Sequence, residues 1–461
     1  MRCSLKVPSA AELKRLDERL PRVPLRPDGS PADGDTDPDV ERGKYREPAQ
    51  RDRDRLLYCS AFQRLGGVTQ VTESESGHTF HTRLTHSLKV AQLARRITEK
   101  LLVDYGDGAS RSAALVKQLD PDASEAAALA HDLGHPPFGH IAEEWLRDNT
   151  EASFEGNAQT FRVLTALAVR RIDVFGLSLT RRTLNGALKY PYARESENAK
   201  HPERHLKWGA YESDQPAFRW VRRDSPPYER SLTAEIMDWA DDVTYAAHDL
   251  EDFYRAGLIP LHRLLDSKGK QTREIDRFKA GLEASGKQSD PTRIDALVDA
   301  LSFISIDESY EGRDDQRASL RGSVSSLITQ YLKAVSIEDG TSDGRADFVI
   351  EDEARRQVDV LKDLTWVYVV RRPSLAVMQA GRRRIIQSLH GWYLEAAKGG
   401  DERLFPPAYR SRLRDANNER AKSRLVNDLI AGLTEEAAHA LYRRMSGVEP
   451  GSVIDATARV Q

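Results

Sequence analysis

The sequence has 461 residues, enough for one large domain or for two to three ordinary ones. Hydrophobic residues make up 39% and charged residues 31%, which allows a sizeable core under a strongly solvated surface. Because 69 Lys and Arg residues are balanced by 72 Asp and Glu residues, the net charge is only −3. This balance argues against a protein that binds polyanions over its whole surface.

Cysteine content and the N-terminus indicate the compartment. The two cysteines, Cys3 and Cys59, have no metal-type spacing and predict no disulfide framework, as is typical of a reducing environment. The first 20 residues are charged and lack the apolar stretch of a secretion signal, and no apolar run is long enough to cross a membrane. We therefore expect a cytoplasmic protein without a membrane partner.

The N-terminal part precedes the first clear helix. Residues 22–50 are rich in Pro, Gly and Asp, so we treat residues 1–50 as an arm or loop. Arg and Asp then alternate at residues 51–55, before an apolar run. This pattern fits either a solvated helix start with internal ion pairs or a segment that contacts phosphate.

The stretch from His78 to Leu88 opens a convincing helix. Its apolar stripe (Val90, Leu93, Ile97 and Leu101) repeats at spacings of three and four residues. His86 heads this stripe, as either a core histidine or a ligand that points inward. Arg83 lies one turn earlier, where it would place a cation near any phosphate bound at His86.

The stretch 130–140 holds three histidines and a carboxylate. In His131-Asp132, an imidazole nitrogen and a carboxylate oxygen can bind one divalent ion. Gly134 and the two prolines after His135 end the preceding alanine-rich helix, which frees His135 and His140 to point back over such an ion. The competing interpretation is a helix-capping aspartate beside a core histidine.

Glu143 lies three residues after His140, at the start of another helix. This spacing puts both side chains on one face, where the carboxylate can orient the imidazole. The alternative is a first-turn glutamate that the helix dipole favours.

Residues 155–190 look helical, and residues 193–230, which include Lys207, are irregular and polar. A long segment without periodicity often lines a site. The helix predicted over 232–252 places Asp241, Tyr245 and Asp249 on one face. Buried carboxylates on this face would need a cation or hydrogen bonds, whereas exposed ones would only solvate the helix.

Beyond residue 260 the sequence is mostly charged helix. Helical patterns cover 354–370, 375–397 and 424–445, residues 268–292 form a polar and flexible excursion, and 339–345 is a turn. No strand-rich block, internal repeat or Walker-type phosphate loop stands out.

Four residues combine into one candidate metal set. His86, His131, Asp132 and Asp241 offer two imidazoles and two carboxylates, a mixture that suits a catalytic divalent ion rather than a structural zinc. We expect Mg or Mn, with Fe, Co, Ni or Zn as further candidates.

In this order the set resembles the HD-domain phosphohydrolase superfamily, and its flanking motifs resemble the deoxyguanosine triphosphate triphosphohydrolases and related dNTPases. The motifs are Arg-Leu-Thr-His-Ser at 83–87, the stretch 131–140, Phe-Glu-Gly-Asn-Ala-Gln at 154–159, Leu-Lys-Tyr-Pro at 188–191, Asp-Asp-Val-Thr-Tyr at 241–245 and Asp-Leu-Glu-Asp at 249–252. A weaker match covers 426–434. Relatives often have Tyr and Asp at the positions of Leu429 and Glu435.

The resemblance implies an all-α, HD-domain helical fold with additional C-terminal helices: a catalytic core over 51–260 and a helical region over 261–461 packed on it. It implies metal-dependent hydrolysis of dNTPs (dGTP or several) to deoxynucleoside and inorganic triphosphate by a homo-oligomer, with an allosteric nucleotide as a further candidate partner. By resemblance, the metal ligands would be His86, His131, Asp132 and Asp241; the catalytic residues His140, Glu143 and His135; the triphosphate contacts Arg83, Lys189 and Lys207; and the sugar contacts Gln70, Tyr245 and Asp249.

Two alternatives stay open. The first is an HD-domain nucleotidase or phosphodiesterase acting on other nucleotides, which would share the metal set without needing a triphosphate clamp. The second is a nucleotide or nucleic-acid sensor with a weakly active HD site. Its nucleic-acid contacts would come from the basic residues of 51–64, although nothing else in the sequence indicates such a ligand.

Overall fold

The computed structural model describes residues 1–21, 45–70, 81–171, 174–195, 201, 203–264, 273–287, 291–342 and 344–449. The structure is 65% helical, and its described residues form 21 α-helices and one three-stranded sheet. The all-α class is therefore confirmed. Among the described helices, none has both the length and the apolar character needed to cross a bilayer.

Twelve of the described helices lie before residue 260. They are α1 (Ala10–Arg15), α2 (Pro48–Leu57), α3 (Ser60–Arg64), α4 (Arg83–Tyr105), α5 (Arg111–Val116), α6 (Pro121–Ala130), α7 (His140–Asn149), α8 (Gly156–Arg162), α9 (Arg181–Gly186), α10 (Glu203–Leu206), α11 (Gln215–Arg222) and α12 (Leu232–Arg255).

The other nine described helices lie after residue 260. They are α13 (Leu261–Leu264), α14 (Arg273–Glu283), α15 (Pro291–Leu301), α16 (Asp314–Lys333), α17 (Asp352–Thr365), α18 (Pro373–Gly399), α19 (Pro407–Asp415), α20 (Glu419–Ala431) and α21 (Glu435–Met445). Short 3₁₀ helices cover Leu65–Gly67, Glu212–Asp214 and Glu402–Leu404, and π-helical turns cover Val163–Leu167 and Trp366–Val370.

Helix α4 forms as its apolar stripe predicts. Thr82 caps its N-terminus by accepting a hydrogen bond from the backbone of Thr85. The predicted stripe of Val90, Leu93, Ile97 and Leu101 is buried, and it packs on α6 and α12. Because these three helices meet side by side, residues at the ends of α4 and α6 come close to the middle of α12.

A small antiparallel sheet is an element that the sequence analysis did not anticipate. It comprises β1 (Arg2–Lys6), β2 (Val335–Asp339) and β3 (Arg345–Ile350) in the order β1-β3-β2, and Cys3 lies opposite Phe348. The predicted turn at 339–345 joins β2 to β3. Each strand has only five or six residues, so the alternation of buried side chains is too short to separate from helical sequence.

Other predicted segments differ in detail. The pattern over 424–445 divides into α20 and α21, because Thr434 starts a new helix by capping Ala437. The irregular segment 193–230 contains α10 and α11, and the polar excursion at 268–292 contains α14. Much of the proposed N-terminal arm lies outside the described residues, although β1 and α1 fall within its first 21 residues.

Two apolar clusters organise the packing. The larger cluster runs from Leu5 to Val369 and includes the buried faces of α4, α6, α12 and α17. The smaller cluster joins Phe138 and Phe154 to apolar residues of α18, α20 and α21. Residues on both sides of position 260 thus share apolar contacts, and the division of the chain into two units at that point stays a prediction.

Candidate metal and catalytic site

The loop between α6 and α7 is held against α8 by a close backbone approach. A Cβ at Gly134 would lie 2.1 Å from the Thr160 nitrogen and 2.2 Å from the Gly156 oxygen, so only glycine fits there. The Thr160 hydroxyl accepts from the Gly134 nitrogen (2.9 Å) and donates to the His131 carbonyl (3.1 Å). These contacts fix the backbone that carries His131, Asp132 and His135.

Three predicted metal ligands meet where α4 and α6 pack together. His86, His131 and Asp132 each offer a ligand atom within 4.8 Å of the others, and all three are buried. The His131 Nδ1 donates to the Ala128 carbonyl (2.7 Å), which leaves the Nε2 lone pair directed into the site. That Nε2 is buried and has no hydrogen-bond partner among the described residues. An unpaired imidazole nitrogen in such a place fits a metal ion.

Asp241 of α12 completes the predicted set. Its Oδ1 lies 3.0 Å from His86 Nε2 and 3.6 Å from His131 Nε2. Its Oδ2 accepts from Lys189 Nζ at 3.2 Å. The fourth predicted ligand is thus brought to the same place by a helix more than a hundred residues away in sequence.

Charges around the set keep its carboxylates ionised. Burial opposes ionisation of Asp132, but the charges of His131 and Arg83 hold its pKa well below the usual range. Arg83 donates to Asp132 Oδ2 at 2.8 Å. Burial also lowers the pKa of His86, which favours the neutral imidazole that metals bind.

A second group lies beside the metal ligands. His135, His140 and Glu143 bring ligand-type atoms within 4.8 Å of one another. His140 Nδ1 donates to Glu143 Oε2 at 3.0 Å, and 70% of the His140 side chain is exposed. His135 Nδ1 lies 3.0 Å from Asp132 Oδ1, so His135 bridges the two groups.

The three predicted phosphate-binding cations surround these groups, and each has carboxylate partners. Besides the contact between Arg83 and Asp132, Lys189 lies 2.8 Å from Asp238 Oδ1 and 3.2 Å from Asp241 Oδ2. Lys207 lies 2.7 Å from Glu143 Oε1. All three cations therefore stand at the edge of the metal and catalytic groups.

The predicted sugar contacts divide between two places. Tyr245 and Asp249 are adjacent on α12 and hydrogen-bonded, with the phenol as donor, and Asp249 Oδ2 is buried without a partner in the described chain. Burial, followed by the charge of Asp252, raises the pKa of Asp249 well above its usual range. Gln70 follows Thr69, whose backbone pairs with that of Thr82 just before α4. The buried Oε1 of Gln70 also has no hydrogen-bond partner in the described chain.

A cleft of about 500 Å³ lies beside the predicted metal and sugar-contact residues of α12. His140, Asp241 and Tyr245 line it from the catalytic side, and Lys362 and Trp366 line it from α17 and the turn that follows. Sequence reasoning assigned no site residue after 252. No local signal marks this wall, because the packing of α17 against α12 alone brings it to the cleft.

Sequence reasoning also missed two carboxylates. Asp238 lies three residues before Asp241 on α12 and shares Lys189 with it, and that spacing is a signal that could have revealed it. Glu155 lies in the motif at 154–159, was given no role, and approaches Lys207 Nζ to 3.2 Å.

Comparison with known proteins identifies two domains and a set of similar proteins. Residues 83–177 match the HD domain, and residues 348–444 match the Phosphohydrolase-associated domain. A "Deoxyguanosinetriphosphate triphosphohydrolase-like protein" of Streptomyces coelicolor is 35% identical over 89% of this chain and 95% of its own length. Proteins with the same description from Corynebacterium efficiens (34% identical, 87% of this chain and 92% of the relative) and Shewanella loihica (31%, 90% and 96%) are also similar.

An HD domain followed by a phosphohydrolase-associated domain, with clustered His and Asp ligands, defines the HD-domain phosphohydrolases, a class of hydrolases. Within that class, the chain belongs to the deoxyguanosinetriphosphate triphosphohydrolase-like family.

Proposed function

We propose that the protein hydrolyses deoxynucleoside triphosphates, either dGTP or several dNTPs, to a deoxynucleoside and inorganic triphosphate. The proposal depends above all on one observation: a His/Asp metal-type set lies beside a second His–Glu pair, with Arg83, Lys189 and Lys207 around both. The printed description of the relatives supports the same activity.

We assign the metal to His86, His131, Asp132 and Asp241. Such a divalent ion would neutralise phosphate charge and make water a better nucleophile at neutral pH. Lys189 and Arg83 already contact the carboxylates of the set, which holds both cations where oxygens of the triphosphate would arrive. Mg or Mn fits the oxygen-rich half of the set, and Fe, Co, Ni or Zn fits the imidazoles.

His140 is the proposed general acid, with Glu143 as its orienting partner. Water attacks the α-phosphorus, the bond to the 5′-oxygen breaks, and that oxygen takes a proton from His140. Since His140 Nδ1 faces Glu143 Oε2 at 3.0 Å, its Nε2 is the atom available to donate. His135, which is buried between both groups, is the alternative acid.

Tyr245 and Asp249, with Gln70, are the proposed sugar contacts. A nucleotide whose α-phosphate lies at the proposed metal, beside Asp241, would lay its deoxyribose along the next two turns of α12. The free oxygen of Asp249 can pair with the 3′-hydroxyl, and the Tyr245 ring leaves a 2′-hydroxyl without a partner.

The decisive experiment separates the products by chromatography after incubation with each dNTP and NTP under several metals. We expect inorganic triphosphate and deoxynucleoside, and loss of both when a chelator removes the metal. Release of orthophosphate or pyrophosphate would instead favour a nucleotidase or phosphodiesterase with the same metal set.

A further inference from the structure

We propose that Glu155 is a positioning residue, which shares the Lys207 ammonium with Glu143 and thereby sets the charge of the Glu143–His140 pair. The inference gives a role to the motif at 154–159. It rests on the proposed function only in taking that pair as catalytic.

The geometry places one cation between two buried carboxylates. Lys207 Nζ lies 2.7 Å from Glu143 Oε1 and 3.2 Å from Glu155 Oε1. Only 2% of the Glu143 side chain and none of the Glu155 side chain are exposed, while Lys207 is about one third exposed. Neither carboxylate can turn to water, so both depend on Lys207 for charge compensation.

Local contacts fix Glu155 in this place. Its Oε2 caps α8 by accepting from the Ala158 nitrogen at 2.9 Å, and its Oε1 accepts from Asn157 Nδ2 at 2.8 Å. The Tyr211 hydroxyl bonds both backbone polar groups of Glu155, at 3.1 and 3.2 Å. These contacts fix the position of the Glu155 carboxylate, so the ion pair depends on the Lys207 side chain extending to it.

The surrounding charges decide which carboxylate remains ionised. Burial opposes the ionisation of Glu143. His140 and Lys207 contact its carboxylate directly, and together with His135 they hold the pKa of Glu143 well below its usual range. Glu155 faces Glu143, Lys207, Asn157 and the phenols of Tyr190 and Tyr211. Burial and the charge of Glu143 raise the pKa of Glu155 to about 7.

Near neutral pH, Glu155 therefore gains and loses its proton while Glu143 stays ionised. When Glu155 is protonated, the full charge of Lys207 compensates Glu143. When Glu155 is ionised, Lys207 is shared and the Glu143–His140 pair becomes more negative. Glu155 thus acts on the pair through Lys207 without touching the reacting atoms.

The first test needs no substrate. The pKa of Glu155 is raised from its ordinary value of 4.5 to about 7 in the folded protein, so its protonation stabilises the fold fully below about pH 4.5. This contribution is lost as the pH rises through 7. We expect the urea midpoint of the wild type to fall more between pH 5 and pH 8 than that of Glu155→Gln. Glu144→Gln, which removes an exposed carboxylate of α7, should keep the wild-type slope. Equal slopes for the wild type and Glu155→Gln would overturn the proposal.

The second test is a double-mutant cycle on kcat. Lys207→Met leaves two buried carboxylates without a cation, so kcat should fall and its acidic limb should move to higher pH. In the Glu155→Gln background, the fold-loss in kcat caused by Lys207→Met should be about ten times smaller. In the Glu144→Gln background, that fold-loss should be the same as in the wild type. Equal losses in every background would overturn the proposal. If no dNTP is hydrolysed, the proposed function fails, and the unfolding measurement alone decides the role of Glu155. The unfolding measurement also decides that role alone if Lys207→Met does not fold.

Discussion

At the scale of single residues, the candidate site depends on which atom each side chain leaves free. The backbone carbonyl of Ala128 accepts a hydrogen bond from Nδ1 of His131, and the Glu143 carboxylate accepts one from Nδ1 of His140. The remaining nitrogen of His131 is buried and unpaired, and the remaining nitrogen of His140 is the proposed donor. The two imidazoles therefore suit the different roles proposed for them, metal binding for His131 and proton transfer for His140.

Removing a metal ligand should abolish both metal and turnover. His131→Ala or Asp132→Ala takes away one donor of a buried mixed set, and the remaining ligands cannot hold the ion in place. We expect loss of bound metal by elemental analysis together with loss of hydrolysis. His201→Ala, at a surface histidine outside the set, is the control. Full activity in a folded, metal-free His131→Ala protein would contradict the assignment.

Removing the proposed acid should separate catalysis from metal binding. His140→Ala deletes the donor to the 5′-oxygen, so kcat should fall by about 10²-fold or more while metal content stays intact. The His140 side chain is mostly exposed, so the unfolding temperature should change little. An unchanged kcat would transfer the role to His135.

The sugar contacts predict a preference for deoxyribose. Stranding a 2′-hydroxyl against Tyr245 costs about 1–3 kcal/mol, which corresponds to roughly 10- to 100-fold in kcat/KM for dNTPs over NTPs. Tyr245→Ala should relax this preference, and Asp249→Ala should weaken dNTP turnover. Tyr254→Phe, farther along α12, should change neither. Equal kcat/KM for GTP and dGTP in the wild type would rule out the sugar-reading role.

At the scale of elements, the loop from α6 to α7 is braced by side chains from elsewhere in the chain. Arg64, at the end of α3, donates to the carbonyls of Leu133 (2.8 Å) and His135 (2.9 Å), and also to that of Leu433 (3.1 Å). Glu435, at the start of α21, accepts from Thr69 and from the Phe138 nitrogen. The start of α21, directly after the weak match at 426–434, thus contacts the loop between α6 and α7 of its own chain.

Breaking the Arg64 brace should destabilise the loop and weaken hydrolysis. Arg64→Ala leaves three backbone carbonyls without their donor, at a cost of about 1–3 kcal/mol in the free energy of unfolding. Because the loop carries His131, Asp132 and His135, metal affinity should fall with stability. Gln63→Ala, at the exposed neighbouring residue, is the control. Wild-type metal affinity in Arg64→Ala would show that the loop holds its shape alone.

At the scale of the whole molecule, the loop between α6 and α7 belongs partly to the second apolar cluster. Phe138, with a positive φ of 67°, turns its ring into the cluster of α18, α20 and α21. Asp428 extends this link by accepting from Gln159 at 3.0 Å and from Arg162 at 2.9 Å. The C-terminal helices therefore support both α8 and the site.

A cavity in that cluster should act at a distance. Leu429 is fully buried, so Leu429→Ala should lower the free energy of unfolding by about 2–5 kcal/mol. Activity should be lost at a lower temperature than in the wild type, because Phe138 loses part of its support. Leu404→Ala, at a residue 47% exposed, should have little effect on either measurement. If Leu429→Ala unfolds like the wild type, the cluster does not contribute to holding the loop.

Periodicity and short motifs by themselves determined the helices that carry the site. The stripe behind His86 is a local pattern, as is the stop after His131-Asp132, and the spacing of Asp241, Tyr245 and Asp249 fixes their common face. Such patterns depend only on neighbours along the chain. The predicted metal ligands could therefore be named before their distances were known.

The tertiary structure alone decided which charges meet. Lys207 and Glu155 are far apart in sequence, and nothing local indicates that one ammonium lies between two buried carboxylates. The same applies to Trp366 on the far wall of the cleft and to β1, which pairs with β3 from the other end of the chain. Local sequence fixes the face on which a side chain lies, but burial and packing between distant helices and strands select the partner, and the pKa of a buried group follows from that partner.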